Sequence, residues 1–158
     1  MKLHGEKVEG ISVETVVIPK GDKRYVFQAR SITDFENFEK LYPQPKPPIG
    51  VKPGGIKFEN PEDPEYIKAM KDWATAKSQW MILESLKATP NLEWETIDYL
   101  KPETWGNYEQ ELADSGFAQG ELMRIQQIVM IVNGLDQDKI DAATADFLAG
   151  PEPQPSVP

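Results

Sequence analysis

The sequence predicts an α+β protein that is mainly helical, and three observations lead to this prediction. Up to residue 41 the apolar residues alternate as they do in strands, and after residue 64 they recur at helical spacing. Between these segments, residues 42–64 contain seven prolines and three glycines, which excludes a helix or a central strand there. We therefore expect a β-hairpin and short helix in 1–41, a Pro/Gly-rich tether in 42–64, an acidic domain of about four helices in 65–150, and a disordered tail in 151–158.

The predicted hairpin consists of two β-rich runs, ISVETVVI at 11–18 and KRYVFQA at 23–29, separated by the turn signal PKGD. In the second run Tyr25 and Phe27 share one face. A lone hairpin is only marginally stable in water, so this one needs a helix, a third strand or a neighbouring molecule over its apolar face.

A short helix is predicted after the hairpin. Thr33 and Glu36 have the spacing of a capping box, with Thr33 as the N-cap residue. The helix must end near Leu41 because Pro43 follows. Its apolar residues Phe35, Phe38 and Leu41 form one stripe, which we expect to close over the hairpin.

The tether then leads into a long helix. We expect the Pro/Gly-rich stretch to be ordered and to lie across its own domain or across a neighbour. Asp63 is the predicted N-cap and Pro64 the first residue of a helix that runs to about Lys87, before Pro90.

Three further helices are predicted after an extended connection at 91–99. The first covers 103–114 and ends at Gly116, and the second covers 117–132. The third begins at Asp136 or Asp138, and its apolar residues are expected to face inward; these residues are Ile140, Ala143, Phe147 and Leu148.

Composition excludes several functional classes. The net charge of −9 argues against tracking a nucleic-acid backbone, which needs a basic surface. The absence of cysteine excludes disulfides, thiolate metal sites and a cysteine nucleophile. No run approaches the roughly 18 apolar residues of a membrane span, so we expect a soluble, intracellular protein. The acidity belongs to residues 65–158, which have sixteen acidic and seven basic side chains.

No residue cluster predicts catalysis, a metal or a cofactor. His4 is the one histidine and lies near the N-terminus, where no orienting partner is evident. Glu93 and Glu95 share one face of an extended segment, but nothing signals the shielded cleft that paired catalytic carboxylates need. The four aspartates between 136 and 146 do not have calcium-loop spacing, and helix capping with a solvated acidic face explains them better. We therefore expect a protein that is not an enzyme.

Aromatic residues in the helical segment are the candidate binding residues. They have two interpretations that the sequence leaves open, namely packing in the core and a surface that grips an apolar helix of a partner. The candidates are Tyr66, Met70, Trp73, Trp80, Trp94 and Trp105.

Short motifs along most of residues 30–150 resemble a known group of proteins. They are LEWE at 92–95, PETW at 102–105, EL at 111–112, GF at 116–117, NGL at 133–135 and FL at 147–148. Upstream, FENFE at 35–39, the prolines of 43–48 and PGG at 53–55 have the same character. In these features the chain resembles the tail assembly chaperones from the tail-gene region of tailed bacteriophages.

The resemblance implies a non-enzymatic protein of the host cytoplasm. Such chaperones shield the long helical tape-measure protein until tail-tube subunits replace them, so the implied partners are phage tail proteins, and self-association is left open. From the net charge and the lack of a long apolar run, we expect binding to neither nucleic acid nor a membrane. An alternative is a structural component of the virion, in the tail or connector, that contacts neighbouring subunits through its hairpin and Pro-rich arm. A third hypothesis, an acidic DNA mimic, requires a regular acidic stripe, whereas the acids here are scattered among caps and helix faces.

Overall fold

The computed structural model describes residues 1–150, which contain six strands and five α-helices. The strands form three separate antiparallel hairpins, β1–β2, β3–β4 and β5–β6. The α+β class, the N-terminal hairpin with its short helix, and the C-terminal helices are confirmed. In chain order the elements are β1 Lys2–Leu3, β2 Glu6–Lys7, β3 Val13–Lys20, β4 Lys23–Arg30, α1 Glu36–Leu41, β5 Ile49–Lys52, β6 Ile56–Glu59, α2 Pro64–Leu86, α3 Asn107–Asp114, α4 Gln119–Val132 and α5 Gln137–Ala149. The predicted tail at 151–158 lies outside the described residues.

The hairpin β3–β4 is the longest of the three hairpins in the described residues. Its strands pair along their full length, with Ile18 opposite Tyr25. The side chains of Ile18, Phe27 and Ala29 point to one face and are buried. Tyr25 and Phe27 share this face as predicted, because both rings pack edge-on against Phe117, with centroids 5.7 and 5.4 Å away.

Two helices cover the apolar face of this hairpin. Helix α4 lies across both strands, and α2 packs on β4 and on α4. The predicted segments 1–41 and 65–150 therefore contribute to one hydrophobic core. The marginal stability of a lone hairpin explains why the helices are needed there.

Two polar side chains join the hairpin to the helices. The Thr89 hydroxyl accepts a hydrogen bond from the Gln28 amide and donates one to its carbonyl, each at 2.9 Å, so it pairs with the outer edge of β4. Asn133 accepts from the Ile32 amide at 2.9 Å and donates to the buried hydroxyl of Ser85 at 2.9 Å. These bonds satisfy groups that would otherwise be desolvated without a partner.

Helix α2 begins and ends as its sequence predicts. The Asp63 carboxylate accepts a hydrogen bond from the Tyr66 amide at 3.0 Å, and Pro64 occupies the first helical position. Its 23 residues span roughly 35 Å. All of its buried residues lie between Ala76 and Leu86, so only the second half belongs to the core.

Helix α1 begins later than predicted, and the capping box at Thr33 and Glu36 is wrong. The N-cap position belongs to Phe35, whose side chain has no oxygen to accept a hydrogen bond. The Asp34 carboxylate accepts from the Glu36 amide at 3.1 Å instead. The Phe38 side chain is buried against Trp73 and Trp80 of α2. Helix α1 therefore closes over α2, whereas its stripe was expected to close over the hairpin.

The predicted tether contains a hairpin, β5–β6, that the proline content obscured. Every proline lies outside the paired residues, either before Ile49, after Glu59, or in the turn. Pro53 and Gly54 occupy the centre of that turn, with φ of 96° at Gly54, an arrangement typical of a type II turn. Residues 49–59 of this stretch are exposed, apart from the half-buried Gly50, and do not lie across the domain. Tyr42, at the start of the stretch, does contact the domain, because its ring stacks on Phe38. Contact of the stretch with a neighbouring molecule stays a prediction.

Helices α3 and α4 follow an irregular connection at 91–99, as expected. The helix predicted for 103–114 is divided into a 3₁₀ turn at Pro102–Thr104 and α3. Gly116 has a φ of 86° and ends α3 as predicted, because the Phe117 amide donates to the Leu112 carbonyl across it. Helix α4 contributes five buried residues, which are Leu122, Ile125, Ile128, Val129 and Val132.

Helix α5 has the predicted start and an unexpected position. The Asp136 carboxylate accepts a hydrogen bond from the Lys139 amide and caps the helix. However, none of its described residues is buried, so the prediction that Ile140, Ala143, Phe147 and Leu148 face inward is wrong. The core is already closed by α2, α3 and α4.

Candidate protein-binding surfaces

The aromatic residues of α1 and α2 form a cluster centred on Phe38. The Phe38 ring centroid lies 6.1 Å from that of Tyr42, 5.8 Å from those of Trp73 and Trp80, and 6.0 Å from that of Trp105. At these separations the rings gain stacking energy in addition to the area that they bury. The cluster therefore fixes α1 against α2.

Two of the six candidate binding residues belong to this core. Trp80 is 4% exposed and Trp105 is fully buried. A side chain that is buried in this conformation contacts a partner only if the core opens. Of the two interpretations, packing in the core therefore applies to Trp80 and Trp105.

The other candidates on α2 lie where the helix leaves the core. Trp73 is half-buried, and its indole Nε1 donates to the Tyr42 carbonyl at 3.1 Å. The Lys77 ammonium lies 4.9 Å from the centroid of the Trp73 ring and covers part of it. Met70 and Tyr66 are half-buried one and two turns earlier, respectively. These three residues form a small apolar strip along the first half of α2.

Trp94 lies apart from the other candidates, beside the hairpin. It lines an open groove of about 280 Å³ together with Phe27, Leu112 and Phe117. The carboxylate of Glu111 also lines the groove. The six candidates therefore do not form one continuous surface.

The first exposed apolar segment is the hairpin β5–β6, which we call the arm, residues 49–59. Ile49 is opposite Glu59, and Val51 is opposite Lys57. Directly paired residues share a face, so these four side chains lie on one face of the arm. Ile49 and Val51 are 67% and 66% exposed.

The opposite face of the arm is partly closed by its own side chains. Phe58 lies over Gly50, where an added Cβ would come within 2.6 Å of the ring. The Lys52 ammonium lies 5.1 Å from the centroid of the same ring. A Cβ at position 50 would therefore require the Phe58 ring to move, and the face with Ile49 and Val51 is the open one.

The second exposed apolar segment is α5. Ile140, Ala143 and Phe147 occur at i, i+3 and i+7 and form one stripe, which we call the α5 stripe. Phe147 is 83% exposed, and Ile140 is also exposed. Such a stripe normally packs on another element, and here it contacts solvent.

Polar contacts hold the start of α5 beside the rest of the molecule. The Lys139 ammonium pairs with the Glu14 carboxylate of β3 at 3.1 Å, and the Gln127 amide donates to the Asp136 carboxylate at 2.9 Å. Ion pairs between exposed side chains contribute little to stability. Helix α5 is therefore attached weakly compared with α4.

The titratable groups with altered pKa values stabilise local structure. Partial burial alone would raise the pKa of Glu111, but hydrogen bonds from the Thr96 hydroxyl and from the Glu95 and Thr96 amides lower it below its ordinary value. The Ala118 amide lowers the pKa of Glu121, assisted by the Lys20 ammonium. Both carboxylates bind backbone amides, so they fix the 95–96 connection and the start of α4.

Burial raises the pKa of Tyr108 to about 12, although a hydrogen bond from Gln126 acts in the opposite direction. The Tyr108 hydroxyl donates to Glu109 at 3.0 Å. Tyr108 therefore stays neutral, as a core residue with a satisfied hydroxyl.

Among residues 1–150, no group of three or more acidic or histidine side chains is placed to hold a metal ion. His4, Glu93 and Glu95 are exposed, and so are Asp138, Asp141 and Asp146. In the same part of the chain, no helix is long and apolar enough to cross a membrane.

Comparison of the chain with protein-family models, with curated proteins and with solved structures finds no match.

The arm and the α5 stripe are the surfaces that sequence reasoning missed. The alternation of IGVK and IKFE around PGG was a usable signal for the arm. For α5 the stripe itself was recognised, but no sequence signal shows whether the covering element is in the same chain.

Proposed function

We propose that this protein is a non-enzymatic protein-binding factor in bacteriophage tail assembly. The observation that supports this proposal is the presence of apolar segments, above all the arm and the α5 stripe, that remain exposed on a well-packed molecule. Exposed apolar patches with polar surroundings are typical of protein-interaction sites.

In the first form of the proposal, the protein shields apolar helical segments of a tape-measure-like partner. The α5 stripe offers such a segment a row of side chains at helical spacing. The half-buried strip of Tyr66, Met70 and Trp73 on α2 is a second candidate surface. The acidic surface keeps such a complex in solution while the partner is covered.

The second form is a structural component of the virion, in the tail or connector. The arm favours this form, because a projecting hairpin with an open apolar face is suited to contacting a neighbouring subunit. Under this proposal the protein stays in the particle.

The two forms differ in where the protein is found. In the first, it copurifies from the host cytoplasm with a long coiled-coil protein and is absent from mature particles. In the second, quantitative protein analysis of purified virions finds it in a stoichiometric amount. Recovery in neither fraction would contradict both forms.

A pair of variants tests the first form further. Tyr66→Ala with Met70→Ala should leave the fold intact and weaken copurification with the long partner. Ile67→Ala alters a more exposed residue on another side of the same turn and is the control. Equal recovery of the partner by all variants would contradict binding through this strip.

A further inference from the structure

The hairpin β3–β4 has two outer edges that differ in their hydrogen bonding. In an antiparallel pair, main-chain groups alternate between bonding the other strand and pointing outward. Gln28 of β4 points outward, because its amide and its carbonyl both bond the Thr89 hydroxyl. Thr15 of β3 is directly opposite Gln28, so the Thr15 amide and carbonyl point away from β4. The same holds for Val13 and Val17, two residues to either side.

The outer edge of β3 is free in the part of the chain that the structure describes. Strand β3 pairs with β4 alone. Within residues 1–150 no hydrogen bond joins another group to the outward amides and carbonyls of Val13, Thr15 and Val17. Their side chains lie on the face of the hairpin that points away from α2 and α4, and all three are exposed.

The helices also cover the inner face of β3 less completely than that of β4. Phe27 and Ala29 of β4 are 6% and 0% exposed. Val16 and Glu14, their direct partners on β3, are only half-buried. A further strand beside β3 would therefore cover apolar surface as well as satisfy main-chain groups.

The edge lacks the features that normally prevent pairing. Proteins protect an edge strand with charged side chains, a bulge or a proline. The outward residues between 13 and 17 are uncharged, and Pro19 affects only the end beside the turn. Glu14 and Lys20, the charged residues of β3, lie on the inner face and form ion pairs of 3.1 and 2.9 Å with residues of α5 and α4.

Free main-chain groups in this register require an extended strand as the partner, because only a strand offers donors and acceptors at the same spacing. Among the described strands, β3 itself matches best in length. Strands β1, β2, β5 and β6 have only two to four residues, and Thr89 occupies the edge of β4. Antiparallel pairing of β3 with its own copy is self-complementary and closes as a two-fold dimer.

We propose that β3 of one copy pairs antiparallel with β3 of a second copy, so that two hairpins form one four-stranded sheet. Thr15 lies opposite Thr15 of the second copy, and Val13 lies opposite Val17. These three pairs exchange roughly six main-chain hydrogen bonds. The opposed side chains are all β-branched, and such cross-strand pairs stabilise a sheet.

Charge and proline select this register over its neighbours. A shift of one step in one direction places Glu14 opposite Glu14 of the second copy, and like charges directly opposite are destabilising. The opposite shift places Pro19 opposite Val13, where proline has no amide to donate. In the proposed register Glu14 lies opposite Val16. The two Glu14 side chains are then diagonal neighbours roughly 7–8 Å apart, and each keeps its own ion pair with Lys139.

An introduced thiol tests the contact, because the chain has no cysteine. Two copies of Thr15→Cys would have their Cα atoms about 5.5 Å apart, within the range that a disulfide spans. Mild oxidation should therefore convert most of this variant into a covalent dimer. Val26→Cys is the control, since Val26 is 45% exposed on the same face of the neighbouring strand. Its two copies would lie roughly 14 Å apart and should remain unlinked.

Two further cysteine variants test the register. A mixture of Val13→Cys and Val17→Cys should form a covalent heterodimer. Neither variant should crosslink with itself, because its two copies are offset by about 13 Å along the strands.

Sedimentation velocity of the full chain tests association without a crosslink. The wild type should form a dimer and nothing larger as concentration rises, because each copy has one free β3 edge. Thr15→Lys places two lysines opposite each other and should weaken dimerisation by at least about tenfold. Val26→Lys adds the same charge away from the edge and should dimerise like the wild type. Circular dichroism of both variants should show an unchanged fold.

Three results would overturn the proposal. The first is a wild type that remains monomeric up to about 1 mM, which would leave the edge to a strand of another protein. The second is crosslinking of Thr15→Cys that does not exceed that of Val26→Cys, and the third is a dimer that Thr15→Lys does not weaken. The inference depends only on the β3 edge and not on the tail-assembly proposal. None of these results bears on recovery with tail proteins or in virions, so the proposed function is tested separately.

Discussion

Helices α4 and α5 are nearly the same length, with 14 and 13 residues, and both have an apolar stripe at helical spacing. Helix α4 buries five side chains against the hairpin and α2, while α5 buries none among the described residues. Helical periodicity therefore predicts an amphipathic helix without identifying the surface that covers it.

The two longer hairpins differ in the same way. Hairpin β3–β4 has α4 across its apolar face and Thr89 at its outer edge, whereas the paired residues of β5–β6 contact mainly one another. The molecule thus has a packed body, made of β3–β4 and α1–α4, and three projecting segments, which are β1–β2, the arm and α5.

The body and the projecting segments should differ most in how much free energy of unfolding is lost when an aromatic ring is removed. Phe38→Ala should lower the free energy of unfolding by about 3–5 kcal/mol, because the fully buried ring contacts four other aromatic side chains. Phe147→Ala should change it by less than about 0.5 kcal/mol. Urea titration measures both, and similar losses would remove the distinction between body and projecting segments.

The next largest effect tests the polar link between hairpin and helices. Asn133→Ala should cost about 1–3 kcal/mol, because it leaves the Ile32 amide and the buried Ser85 hydroxyl without their partner. Asn107→Ala is the control, since the Asn107 side chain donates one long hydrogen bond of 3.4 Å at an exposed site. If both variants unfold at the wild-type urea concentration, Asn133 does not link these elements.

Lowering the pH should reduce the stability of the body, because Glu111 becomes protonated. Its pKa is lowered in the folded protein, so its contribution to stability is present above the unfolded value of about 4.3 and is lost as pH falls through the lowered folded value. Glu111→Gln should therefore be less stable than wild type at pH 7, with a difference that shrinks below about pH 4.

Glu93→Gln, at an exposed site on the neighbouring connection, is the control for this measurement. Stability of Glu111→Gln and Glu93→Gln from pH 7 to pH 3 is read from urea midpoints. A difference that grows as pH falls would contradict the assigned direction of the Glu111 pKa.

The smallest effect on the body is expected from a change within the arm. Gly50→Ala places a Cβ 2.6 Å from Phe58, so the ring must move and the arm should shift its NMR resonances. The unfolding free energy of the body should change by less than about 0.5 kcal/mol. Gly120→Ala in α4, where an added Cβ meets no atom within 4 Å, should leave the arm resonances unchanged.

Much of the fold follows from local signals in the sequence. The cap at Asp63 with Pro64 and the glycine at 116 each determine a backbone conformation within a few residues, so they mark boundaries correctly. The turn signal at 19–22 located the hairpin but not its boundary, because Pro19 and Lys20 pair with Arg24 and Lys23 and only Gly21 and Asp22 form the loop. Packing between segments that are far apart in the sequence could not be predicted in the same way. Nothing local shows that Trp80 and Trp105 meet Phe38, or that α4 leaves no room in the core for α5.

The arm was missed for a different physical reason. Proline disfavours strands only where its ring or its missing donor interrupts the ladder, and here all seven prolines of 42–64 lie outside the paired residues. Counting prolines over the whole stretch therefore obscured two short alternating runs between them.

Amide hydrogen exchange of the wild type tests the distinction between body and projecting segments most directly. We expect slow exchange in β3–β4, α2 and α4, and faster exchange in the arm and α5. Protection in the arm and α5 that equals that of α4 would contradict this distinction.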